Sequence, residues 1–448
     1  MEHLLQILHS AKKVAEQAEV FQASFQETPV HFEANQLKQI QTRESTSIAL
    51  RIFKDGKIGF ASASDPYTTL PLTGERKEEA DTLLDMAVET SQFGLPTNFA
   101  LPSPDSYPEV SVFDHQVEKI TMEEMIDCGR RLIDRVREYA PDILCDAQVS
   151  RGTSSIRLIN SRGGEASYHK SFFVISLEGL LIQNTDMLFV SDSEGSCRLP
   201  DKPDIVADRV IKQLELAREK ATVSTKQLPV IFTPQGVASA FLTPLALAFN
   251  GKTVLEGTSP LKNRLGEQVF DSRLNLSDDA TLAYCLESSP CDDEGVPTQR
   301  LPLIESGTVS NFLYDLQTAA SASTHSTGSG RRTGGSLQVK PATSSLIIAE
   351  GDASFESMVQ DMKEGLIVEY LIGADQGNLL GGDFGGNVLL GYKVEKGNII
   401  GRVKDTMISG NIYQVLKELP GIGSEARWVN GVLRTPHLYC SRLSVSAK

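Results

Sequence analysis

Alternation of apolar and polar residues dominates this chain, and helical spacing appears only in patches. Leu4, Leu5, Leu8, Ala11 and Ala15 recur at helical spacing and predict an amphipathic opening helix. Ile48, Leu50 and Ile52 then alternate with other positions, reach Asp55-Gly56, and resume at Ile58 and Phe60. Asp-Gly between alternating runs predicts a hairpin, because a type I′ turn needs positive φ at both central residues. A helix is expected from about Lys77, stopped at Gly94, where glycine takes the left-handed cap conformation. Four prolines within 95–108 predict an ordered crossing, and Thr121 with Glu124 forms a capping box for a helix to about Tyr139. Strands near 156–158 and 172–177 turn through Ser161-Arg162-Gly163-Gly164, and a polar helix over 204–220 closes the first half.

Residues 221–229 read as a linker. Beyond it glycines thicken and short strands dominate. Residues 228–232 predict a buried strand, 235–250 a helix interrupted by Pro244, and 354–363 a short helix stopped by Gly365. Residues 395–398 turn another hairpin. The expected architecture is α+β in two domains. Residues 1–222 form an N-terminal domain with a mainly antiparallel sheet and flanking helices, and residues 228–448 a β-rich domain with few helices.

Charge narrows the partners. Asp and Glu outnumber Lys and Arg by 58 to 43, and Arg130-Arg131 and Arg331-Arg332 are isolated pairs, so a nucleic-acid partner is not expected. The N-terminus has no long apolar core of a signal peptide, and the longest mostly apolar run, 237–249, is too short to span a bilayer. The six cysteines are scattered and include no CxxC, which suits reduced thiols. A cytoplasmic protein with no membrane partner is the expectation.

Candidate chemistry is sparse. None of the seven histidines lies three to five residues from another, so no helix presents two imidazoles on one face. His437 and Cys440 give a lone HxxC, which reads either as a weak metal candidate or as a terminal strand putting Leu438, Cys440 and Leu443 in or near a core. Cys285 and Cys291 could bind metal too, but the acid cluster beside Cys291 fits turn geometry equally well. The best polar constellation is Asp292, Asp293 and Glu294 before Gly295. These acids either line a cleft and meet a cation or peptide amides, or accept local N–H groups in a turn. The Ser/Thr/Gly loop with Ser326, Thr327 and Gly328 leads into Arg331-Arg332 and reads as ligand-shaping, because no Walker lysine follows. Neither GxSxG nor GxGxxG occurs.

An ordered series of segments resembles the TldD/PmbA family, also called modulators of DNA gyrase. It comprises FEANQLKQIQTRE, RIFKDGKIGFASAS, LINSRGGEASYHKS, SPLKNRLGEQVF, CDDEGVPTQRLPLIESGTVSNFLYDLQTA, STGSGRR and DTMISGNIYQVLKEL. The resemblance implies a heterodimeric metallopeptidase with a chamber for unfolded or flexible peptides. One subunit carries an HExxxH helix and a C-terminal cysteine that hold a metal; the PmbA or TldE type lacks the helix motif. Here the corresponding helix, 235–250, has no His, Glu, Asp or Cys. The resemblance therefore implies a subunit with no catalytic residues and no metal of its own, zinc or a similar metal being held by a TldD-like partner. The same chain could form a homodimer when alone. Asp292, Asp293, Glu294, Gly295, Ser326, Thr327 and Gly328 become chamber-lining candidates. Two other readings stay open: a peptidase with its own site around Asp292–Glu294, Cys291 or His325, and a regulator that binds gyrase.

Overall fold

The computed structural model describes residues 2–64, 76–94, 96, 98–332 and 337–447, with the side chains of 76–80 outside that description. Leu95, which opens the expected proline-rich crossing, and Thr97 within it also lie outside it. The first half runs α1 (Glu2–Ala11), β1 (Gln17–Glu33), β2 (Gln36–Ile40), β3 (Arg43–Lys54), β4 (Lys57–Ser64), α2 (Arg76–Ser91), α3 (His115–Lys119), α4 (Met122–Tyr139), β5 (Leu144–Asn160), β6 (Glu165–Gln183), β7 (Asp186–Ser196) and α5 (Ile205–Leu216). Its strands form one antiparallel sheet in the order β4-β3-β1-β5-β6-β7, with β2 on β1. Asp55 (φ 52°) and Gly56 (φ 70°) make the β3–β4 turn as their sequence requires.

Strand alternation divides β1 between two environments. Ala18 and Val20 face Leu4, Ile7 and Leu8 of α1. Val30 and Phe32, on the same side, meet Met125, Leu132 and Val136 of α4. Glu19 and Phe21 point to the other side, toward the second half. Two expectations change. Leu5 is exposed and Ile7 takes the buried place, because the apolar stripe follows positions 4, 7, 8 and 11. Gly94 is not left-handed; it lies against the β4 backbone, where a Cβ would come within 2.0 Å of Ile58 O. The α4 capping box forms as the sequence indicates.

The second half runs β8 (Lys226–Phe232), α6 (Pro234–Ala248), α7 (Gly251–Glu256), β9 (Leu276–Asp279), β10 (Arg300–Glu305), β11 (Thr308–Val309), α8 (Leu316–Ser321), β12 (Gly330–Arg332), β13 (Val339–Pro341), β14 (Leu346–Ile348), α9 (Phe355–Asp361), β15 (Glu364–Ile372), β16 (Asp383–Glu395), β17 (Asn398–Arg402), β18 (Thr406–Asn411), α10 (Ile412–Val415), β19 (Gly421–Val429) and β20 (Leu433–Ala447). The order β11-β10-β9-β14-β20-β18-β16-β15-β8 closes on itself, because β8 pairs with β20 as well as β15. The expected linker is shorter at its C-terminal end. Pro229 already belongs to β8, at the bulge between Cys440 and Leu443, where its missing N–H breaks no regular ladder. Gly365 likewise does not stop α9 but lies inside β15, and α6 runs through Pro244.

One face of the ring packs under α6, with Phe232, Phe241 and Phe384 in mutual edge or tilted contact. The other face gives Ile231, Ile367, Leu390 and Tyr392 to a core shared with α4, α5 and the first sheet. Each such side chain, fully buried, contributes about 1.5–3 kcal/mol. The halves therefore share a hydrophobic core. Among the described residues, no helix is long and apolar enough to cross a membrane.

Candidate functional site

The acid turn sits where the odd face of β1 and β3 meets the second half. Glu19 and Arg51 are directly opposite in the β1–β3 ladder, and Arg51 Nη2 donates to Glu19 Oε2 at 3.0 Å. Arg51 Nη1 donates to Glu294 Oε1 at 2.5 Å, and Arg332 Nη2 donates to Glu19 Oε1. Glu294 accepts a second bond from the Leu316 amide at 2.7 Å, at the start of α8. Glu19 and Glu294 are both 0% exposed. Burial alone would penalise such charges, but each carboxylate has a guanidinium, and Arg51 is shared between the two. Burial raises Glu19, opposed by Arg51 and Arg332; burial pulls Arg51 down, yet Glu19 and Glu294 hold it net above its usual range.

Asp292 completes the turn rather than facing outward. Its Oδ1 accepts the amides of Glu294 (3.0 Å) and Val296 (2.9 Å), and its Oδ2 that of Gly330 (2.9 Å). Burial, then the Glu294 charge, push this carboxyl well up against those amides. Asp293 is half-buried; it accepts the Arg332 amide at 2.7 Å, and its carbonyl accepts from Arg332 Nε. Gly295 is left-handed at φ 77° and buried. The Ser326–Gly328 segment is equally self-contained. Ser326 Oγ donates to the Tyr314 carbonyl, Thr327 Oγ1 accepts the Tyr314 amide at 2.8 Å, and the buried Gly328 donates to Ser326 Oγ. The structure thus brings the acid turn together with Gly330–Arg332 and with Glu19 and Arg51, two partners that sequence reasoning missed. The direct signal for them was weak: a carboxylate and an arginine at facing positions of two alternating strands.

The α6 region offers little chemistry. Cys440 is fully buried beside Leu438 on the α6 side of β20, and burial raises its thiol. His437 lies on the opposite side, 4.6 Å from the Phe355 ring, where burial lowers it to about 4. Strand alternation therefore separates the HxxC pair, which cannot share an ion. Cys440 shares its buried apolar cluster with Phe241 and Leu245 of α6, a helix with no His, Asp, Glu or Cys, so this donor set does not fit a metal. Among the described residues no three His, Cys, Asp or Glu side chains gather in a metal-holding group. Cys291 is 1% exposed with a thiol raised by burial, the opposite of an activated nucleophile, and His325 is exposed.

A cleft of about 650 Å³ separates the first sheet from the ring near the start of α6. Asp146, Glu178, Leu180 and Phe189 line one side, and Gln235 and Glu369 the other. Glu369 accepts from Thr233 Oγ1 at 2.8 Å, and burial raises its carboxyl. Asp192, 3% exposed, is held by Arg209 and Arg427. Sequence reasoning missed this place because its residues come from separate strands.

An antiparallel sheet joined through a shared core to a closed β-ring under one largely apolar helix defines a sheet-rich, two-part α+β class. Residues 225–447 match the PmbA/TldA metallopeptidase C-terminal domain and residues 18–91 the PmbA/TldA metallopeptidase domain 1. This chain belongs to the PmbA/TldD family. An uncharacterized protein of Methanocaldococcus jannaschii is 27% identical over 421 residues, 93% of each chain. A metalloprotease of the same organism is 30% identical over 221 residues, 47% of this chain and 48% of its own. The fold superposes on TldE from Thermococcus kodakarensis with TM-score 0.88 at 21% identity, covering 99% of this chain and 100% of that one. A Thermotoga maritima protein, described as a proposed modulator of a DNA gyrase, gives 0.87 at 21% identity with 99% of each chain covered.

Proposed function

We propose that this chain is the metal-free partner subunit of a cytoplasmic heterodimeric metallopeptidase that acts on unfolded or flexible peptides. The observation carrying this reading is α6: in a family whose relatives are called metalloproteases, this helix carries no His, Asp, Glu or Cys, and Cys440 is buried in the same apolar cluster as Phe241 and Leu245. A hydrolytic centre needs a polarising ion or an activated nucleophile with a base, and among the described residues neither set gathers around α6. The TldD-like partner would hold zinc or a similar metal. This subunit would complete the chamber wall and hold peptide against it. The acid turn and the 326–328 loop would then shape that wall from behind, their polar groups being engaged internally.

The test is to purify the chain alone, measure bound zinc and assay cleavage of an unstructured peptide, then add a family member bearing HExxxH. The expected result is no stoichiometric zinc and no turnover alone, with a stable complex and turnover after mixing. Stoichiometric zinc with turnover by the isolated chain overturns the proposal.

A further inference from the structure

One wall of the cleft between the sheets is a face of the first sheet, where an acidic row is followed along the strands by apolar ones. One step beyond the Phe32–Ala147 pair, Glu33 comes level with Asp146, and Asp146 pairs with Glu178. The Ala34 amide donates to Asp146 Oδ1 at 2.7 Å, which fixes this corner. Three carboxylates therefore stand side by side on β1, β5 and β6, about 5 Å apart from strand to strand. Like charges directly opposite one another destabilise a sheet. No lysine, arginine or histidine lines the cleft among the described residues. Two residues along the strands the next row is apolar: Leu144 opposite Leu180, and Leu180 opposite Phe189. Ile182 and Met187 form the row after that. Leu144, Ile182, Met187 and Phe189 are 43%, 48%, 54% and 41% exposed, large values for neighbouring apolar side chains. Tyr370, 41% exposed, faces them from the ring.

The rows lie about 7 Å apart, two residues along a strand. That is also the spacing between residues i and i+2 of an extended peptide, whose side chains there point the same way. The edge of β7 is already occupied at Ser191, whose N–H and carbonyl both bond the Gln213 side chain at 2.9 Å. Strand addition at that point is blocked, so recognition must come through the face. One further oxygen at the cleft, Asp192 Oδ2, accepts no hydrogen bond, with Arg427 Nη1 3.2 Å away as an ion-pair contact.

We infer that this cleft binds an extended peptide segment presenting apolar side chains at alternate positions followed, two residues on, by a lysine or arginine. The inference rests on the peptide-handling part of the proposed function, but it needs neither the partner nor its metal. The apolar side chains would cover Leu144, Leu180, Phe189, Ile182 and Met187, and the cation would meet the Glu33–Asp146–Glu178 row. Charge complementarity would set which peptides enter, while the apolar rows would hold them.

The experiment uses the isolated full-length chain and two dye-labelled, capped peptides, Gly-Leu-Ser-Leu-Ser-Lys-Gly and the same peptide with Glu for Lys. Fluorescence anisotropy at low salt should give about tenfold tighter binding for the lysine peptide, a difference that 0.5 M NaCl largely removes. The triple variant Glu33→Gln, Asp146→Asn, Glu178→Gln should bind both peptides alike, and Phe189→Ser should weaken both. These positions are exposed, and circular dichroism checks that each variant is folded. Equal binding of the two peptides by the native chain, or a lysine preference that survives the triple variant, overturns the inference. A failed partner assay with a normal lysine preference would refute the subunit reading alone, and the reverse would refute the cleft.

Discussion

Two groups of carboxylates in this molecule obey opposite rules. At the acid turn, Glu19, Glu294 and Asp292 are almost entirely removed from water, and every one is engaged by a guanidinium or by backbone amides. In the cleft, Glu33, Asp146 and Glu178 are exposed, side by side, with no cation among the described residues lining the same space. A buried charge persists only with partners, because its desolvation exceeds anything a lone contact returns. An exposed charge is free to repel its neighbours at small cost, since water screens it. The acid turn thus tells how the halves are fastened, and the open row tells where something else could come.

The sharpest way to break this comparison is at Arg51, which bridges Glu19 of one strand and Glu294 of the turn. Arg51→Met leaves buried Glu294 without a cation and Glu19 with Arg332 alone, and should cost about 3–5 kcal/mol, read as a lower denaturant midpoint. Arg51→Lys should recover only part of this, since a single ammonium cannot hold both carboxylates in a fork. A variant as stable as the native chain would show that the clamp is not what fastens the halves.

Asp278 sharpens the contrast from the same neighbourhood. It is 5% exposed, its carboxylate accepts from Ser344 N (2.8 Å) and Ser344 Oγ (3.0 Å), and burial raises it to about 6. A folded-state value above the unfolded one means that the folded chain holds the proton longer. The associated stability is complete below pH about 4 and is lost as pH rises through about 6. Native stability should therefore fall by about 2–3 kcal/mol relative to Asp278→Asn between pH 4 and 6.5. Parallel curves for the two proteins would rule out this titration.

The N-terminal hairpin, the α4 capping box and the strand character of both halves were legible because each is fixed by residues close in sequence: Asp55-Gly56, or Thr121 with Glu124. The ring closure was not, since it depends on β20 reaching β8 some 200 residues earlier. The acid turn was visible as a cluster, but its meaning was not, because Arg51 and Glu19 enter from another sheet. The cleft was illegible for the same reason. Glu33, Asp146 and Glu178 look like ordinary exposed acids until strand register sets them in a row.

Gly295 tests how tightly the turn itself is specified. At φ 77°, with Leu158 Cδ2 only 3.1 Å from where a Cβ would lie, Gly295→Ala must accept both a left-handed backbone and a close contact. A loss of about 1–2 kcal/mol is expected, smaller than for Arg51→Met because every carboxylate keeps its partner. A cost as large as that of the arginine variant would mean that turn geometry, rather than charge pairing, dominates the clamp.

The smallest effect has the opposite sign. Glu178 stands between Asp146 on β5 and Ser191 on β7, and its side chain makes no hydrogen bond or ion pair among the described residues, so Glu178→Gln removes repulsion alone. The variant should be more stable by about 0.2–1 kcal/mol, and the gain should shrink in high salt. The same change at Glu294 should be strongly destabilising, since it leaves Arg51 short of a counter-charge in a buried place. One substitution, glutamate to glutamine, then separates a carboxylate that holds the fold from one that the fold tolerates at a cost. If Glu178→Gln also destabilises, the open row is part of the scaffold after all, and its acids lose their claim to be held in readiness for a cation.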